Sequence, residues 1–127
     1  MLVRVKSKKS ISQVARDLEN AAVKNKFGVM AVHDLKAKLK EKGVDFDREC
    51  LIYEVCNPQQ AKKVLGANPE ISTALPCRIS VYPEGNEVIL ATIRPTAMIE
   101  MFQSPELKGV AEEVEAVMVK IIEEAAR

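Results

Sequence analysis

Two periods of apolar residues take turns along this chain. Residues 2–6 set Val3 and Val5 among basic neighbours, the alternation of an edge strand. From Ser10 to about Lys24 the spacing becomes helical. Ile11, Val14, Ala15, Leu18, Ala21 and Ala22 recur on one face, with Ser10 as cap and Gln13 as its capping-box partner. The run from Phe27 to His33 predicts a second strand. Asp34 then caps a short helix that carries Leu35 and Leu39 and ends at Gly43, with Lys36, Lys38, Lys40 and Lys42 on a solvated face.

Residues 50–56 predict a third strand and residues 58–65 a helix. Asn57 is placed to cap that helix, Pro58 suits its first position, Gln60 stands where a capping-box partner would, and Gly66 with Asn68-Pro69 closes it. Residues 77–82 alternate cleanly, Pro83-Glu84-Gly85-Asn86 is a turn signal, and residues 88–93 return as the partner strand of a hairpin. Met98, Ile99, Met101 and Phe102 form an apolar lead-in that can make a short helix of its own. Ser104-Pro105 opens the longest helix, whose stripe runs from Leu107 through Val110, Ala111, Val114, Val117, Met118, Ile121 and Ile122 to Ala125. Its Glu112, Glu113, Glu115, Glu123 and Glu124 fall opposite that stripe.

This order predicts one α+β domain over residues 1–127, a two-layer sandwich. A mainly antiparallel sheet of about five strands carries helices on one face. Residues 88–93 are apolar on both sides, the mark of a strand buried on both faces. With few helices to spare, the second cover is expected to be another copy of the chain, a homodimer.

Composition narrows the function classes. The chain has 127 residues, 47% hydrophobic and 29% charged, enough for a core of its own. A formal charge of +1 and 4% aromatic residues with no Trp argue against nucleic acid, which would call for basic excess and stacking rings. No run reaches the ~18 apolar residues of a membrane span. Three cysteines, an odd number without framework spacing, predict reduced thiols in the cytoplasm.

The strand leading into Cys56-Asn57-Pro58, with Ala61 and Leu65 after it, forms a familiar set with Leu75-Pro76-Cys77-Arg78-Ile79-Ser80-Val81-Tyr82. Val32-His33-Asp34-Leu35, Leu39 and Gly43 add to it. On these pieces, which cover nearly the whole chain, the sequence resembles the bacterial and archaeal domain-of-unknown-function family 302. The resemblance implies an α+β fold that commonly dimerises and carries no established activity.

Three chemically capable residues fall at predicted element ends: His33, Cys56 and Cys77. If their strands are neighbours, the ends can converge on one rim. Thiolate and imidazole together suit zinc or copper. Cys56 and Cys77 alone could form a redox pair if their Cα atoms come within about 7 Å. A helix N-terminus beside Cys56 would lower its pKa. Cys50 stands apart, ~20 Å from Cys56 along an extended strand. Against all this, free cysteine is among the most buried residue types and commonly acts as a small hydrophobe. Arg78 and Arg94 could contact an anion, though a surface ion pair is the commoner use. There is no Gly-rich phosphate loop and no G-x-S-x-G, and one histidine is the only imidazole base. The expectation is a small cytoplasmic dimer that is not an enzyme, binding a small ligand or metal near His33, Cys56 and Cys77. Thiol-redox chemistry at Cys56 and Cys77, or a protein-interaction scaffold without chemistry, are the alternatives.

Overall fold

The computed structural model describes residues 1–127. Five strands, β1 (Leu2–Ser7), β2 (Gly28–Asp34), β3 (Leu51–Cys56), β4 (Cys77–Glu84) and β5 (Glu87–Ile93), form one sheet in the order β1-β5-β4-β3-β2. Every neighbouring pair is antiparallel, so β1 and β2 are the edges. The β4–β5 hairpin is tighter than the turn signal suggested. Glu84 pairs with Glu87, and Gly85 takes a φ of +61° that an L side chain rarely adopts.

Helices α1 (Ile11–Lys24) and α5 (Lys108–Ala126) pack on each other and on one sheet face. Val14, Leu18, Ala21 and Ala22 from α1 meet Met118, Ile121, Ile122 and Ala125 from α5 over Tyr53, Val55, Ile79, Val81, Val88 and Leu90. Fully burying one such aliphatic side chain contributes roughly 1.5–3 kcal/mol, so this cluster is the main source of stability. Ser10 caps α1 by accepting from the Gln13 N–H at 3.2 Å. The Gln13 side chain turns forward to Asp17 instead of closing a capping box. Asp34 caps α2 (Leu35–Glu41) in the same way, accepting from the Ala37 N–H.

The C-terminal half departs from expectation in two places. Helix α3 (Pro58–Ala67) runs through Gly66, and Asn68 then caps a 3-10 helix over Pro69–Ala74 that no periodicity announced. Met98 and Ile99 of the apolar lead-in lie in α4 (Pro95–Glu100), Met101 and Phe102 follow it, and a 3-10 turn at Pro105–Leu107 precedes α5. The Ser104 hydroxyl makes no cap bond; it accepts from Asn68 Nδ2 and donates to the Phe102 carbonyl. These short elements enclose a second cluster of Val64, Ile71 and Leu107 beside the end of the sheet.

The other sheet face carries no helix. Alternation from the core residues places Leu2, Arg4, Lys6, Ile52, Glu54, Arg78, Tyr82, Ile89, Ala91 and Ile93 there. Ile89 and Ala91 are nonetheless buried within a single chain, flanked by Lys6 and Tyr82 and by Arg4 and Ser80. Burial of Ile89 and Ala91 therefore needs no second copy, while Ile93 on the same face stays exposed.

Candidate functional site

β3 ends at Cys56 and β4 begins at Cys77, and Val55 stands directly opposite Cys77. The two cysteines thus meet at one rim of the sheet. The junction after Cys56 is built from the cap. Asn57 Oδ1 accepts from the Gln60 N–H at 3.1 Å, and its Nδ2 donates to the Lys26 carbonyl at 3.4 Å, tying the start of α3 to the turn after α1. The peptide bond before Pro76 is cis.

Above this rim, α3, the Pro69–Ala74 turn, α4 and the first half of α5 leave an open cleft with about 60 Å³ of enclosed space. Of its 17 lining residues 14 are hydrophobic and none is charged. Cys56 and Cys77 are both in the wall. Phe27 and Val55 come from the sheet side, Ala61 and Val64 from α3, Met98 and Ile99 from α4, and Val110, Ala111 and Val114 from α5. The stripe read as one core face of the last helix is therefore shared. Its C-terminal half packs in the main core and its N-terminal half forms the cleft wall.

Burial decides the electrostatics here. It pushes the Cys77 thiol up to about 11, with the neighbouring Cys56 adding to the rise, and it raises Cys56 as well. Burial thus moves Cys56 in the direction opposite to the lowering expected beside a helix start, because a thiolate loses its water there. It favours the neutral thiol form of both side chains.

His33 is elsewhere. It lies opposite Ile52, four residues or about 13 Å along β3 from Cys56. Its Nε2 is 3.3 Å from Glu54 Oε1 on the helix-free face, and Arg78 meets the other oxygen of Glu54 at 3.4 Å. The structure thus brings Cys56 and Cys77 together and leaves His33 apart, since antiparallel pairing sends the ends of β2 and β3 in opposite directions. No group of three or more His, Cys, Asp or Glu side chains is placed to hold a metal ion. Arg94 contacts Glu115, which also accepts from the Thr96 hydroxyl and amide. Cys50 sits before β3, at the far end from Cys56.

Gln60 is the residue that sequence reasoning undervalued. Placed as a capping partner, it turns away from Asn57, and its Nε2 donates to Glu113 Oε2 at 3.2 Å. Its position on the cleft side of α3, in step with Ala61 and Val64, was the available signal.

No helix is long and apolar enough to cross a membrane. The family model described as "Domain of unknown function DUF302" matches residues 3–125. A solved structure, an uncharacterized conserved DUF302 protein from Bacillus stearothermophilus, is similar to this chain over 99% of its length and 98% of the other. The sequence identity is 31% and the TM-score 0.93. No curated protein matches.

Proposed function

The chain belongs to the DUF302 family, whose description assigns no function, and we propose that its frame holds a small apolar ligand in the cleft beside Cys56 and Cys77. The cleft itself carries the reading. Its wall is almost wholly apolar, with two polar side chains at the start of α3 to orient a bound molecule, the make-up of a small-molecule site. Thiol chemistry at Cys56 and Cys77 has less support, because burial favours the protonated form of both. A zinc or copper site has less again, with His33 removed from the two thiols. Three free cysteines fit a reducing cytoplasm.

The test is binding of naphthalene, a rigid apolar probe, followed by calorimetry. Wild type is expected to bind it, and Ala61→Phe, which fills the cleft from α3, to lose it. Equal binding by both proteins would place the probe elsewhere and reject the reading.

A second copy of the chain is the proposed partner of the helix-free face. Leu2 and Ile93 pair across β1 and β5 and remain 54% and 45% exposed. Around them Arg4, Lys6 and Arg78 are matched by Glu84, Glu87 and Glu54. A face with equal charge of both signs and an apolar edge can meet itself about a twofold axis.

A further inference from the structure

The polar side chains of the cleft wall both stand at the start of α3, Asn57 as its cap and Gln60 in its first turn. Asn57 is engaged at both ends of its amide, by the Gln60 N–H and the Lys26 carbonyl. Gln60 is half engaged. Its Nε2 donates to Glu113, while its Oε1 is buried with no partner, the one buried side-chain nitrogen or oxygen left so in the protein. An amide's two ends are told apart by their partners. A carboxylate at neutral pH only accepts, so the end of Gln60 that meets Glu113 is the NH2. Turning the amide over to relieve its oxygen would set two acceptors against each other. Glu113 therefore fixes the unpartnered carbonyl beneath the surface of the cleft wall, where a small turn of the Gln60 side chain presents it to the space.

A buried acceptor without a donor is a standing cost that a ligand can remove by bringing one. A charged ligand, by contrast, would lose its water and find no counter-charge, since no ionic side chain lines the cleft. We infer that the cleft selects an uncharged ligand with an apolar body and a single hydroxyl or N–H donor, which Gln60 Oε1 accepts. This deepens the reading of the cleft as a ligand site and rests on it.

The experiment compares naphthalene, 2-naphthol and 2-naphthoate by calorimetry at pH 7 in wild type and Gln60→Met. Methionine keeps the side-chain length and removes the acceptor. The preference of wild type for 2-naphthol over naphthalene is expected to exceed that of Gln60→Met by about tenfold, the scale of one hydrogen bond to a buried group. The naphthoate is expected to bind least in both. If naphthalene binds and the preference is the same in the two proteins, the role of Gln60 is overturned while the cleft reading stands. If no compound binds wild type, the cleft reading fails and takes this inference with it. Naphthoate binding as tightly as 2-naphthol overturns the selection against charge. Should Gln60→Met not fold, Glu113→Ala reads the same quantity. It frees the amide to turn, so the preference should fall, and an unchanged preference counts against the inference.

Discussion

Cys77 shows how far neighbours decide what a side chain can do. A thiol at the start of a strand, able to meet a second thiol if the two strands are neighbours, suggests redox chemistry when only the sequence is read. Enclosure under α3 and α5 reverses this, since the thiol is pushed up to about 11. Alkylation of Cys77 by iodoacetamide should therefore keep accelerating well above pH 9.0 and be slow at pH 8, as followed by mass spectrometry. Labelling at pH 8 as fast as in the unfolded chain would contradict the burial. The sign of the linked stability follows. A folded pKa raised above the ordinary 9.0 gives a contribution that is complete below 9.0 and is lost as pH rises toward about 11. Wild type should lose more thermal stability across that window than Cys77→Ala. Glu115 works in the opposite direction. Hydrogen bonds from the Thr96 hydroxyl and amide, with Arg94 beside it, hold its carboxyl below the ordinary 4.5. Its contribution is present above that value and disappears as pH falls through the lowered one. Glu115→Gln should destabilise at neutral pH by on the order of 1 kcal/mol and flatten the acid limb of a melting-temperature series.

At the scale of elements, strands and caps were the legible part. Ser10, Asp34 and Asn57 each accept from the amide three residues on, because a short polar side chain before a helical pattern has little else to do. Asn57→Ala should cost about 1 kcal/mol. It should also speed hydrogen exchange at the Gln60 amide, which loses its acceptor; unchanged exchange there would show that the cap does not hold α3. The 3-10 helix at Pro69–Ala74 was not legible, since a six-residue turn is too short to display a period. Nor was the divided role of α5. Val110 and Val114 belong to the same helical stripe as Ile121 and Ile122, and only the placement of α3 and α4 makes the first pair line the cleft while the second pair is core. Periodicity reports which face of a helix is apolar and says nothing of whether that face meets a neighbour or a space.

For the whole molecule, the antiparallel sheet with α1 and α5 on one side follows from the alternating patterns, whereas the site does not. Bringing Cys56 to Cys77 depends on β3 lying next to β4, and separating His33 depends on β2 running antiparallel to β3. Neither is written in local spacing. The helix-free face carries a separate expectation. Sedimentation at micromolar concentration should give twice the 14.1 kDa chain mass, and Ile93→Lys, which sets a charge beside Leu2, should shift it toward the monomer. A wild-type mass of one chain would reject the second copy as cover.

The cleft is the central claim, and the most direct measurement is a methyl-resolved NMR titration with 2-naphthol. Shifts should move at Val64, Ile71, Ile99, Val110 and Val114, around the cleft, while Ile52 and Ile93 on the helix-free face stay still. Shifts confined to Ile52 and Ile93, or none at saturating ligand, would contradict it.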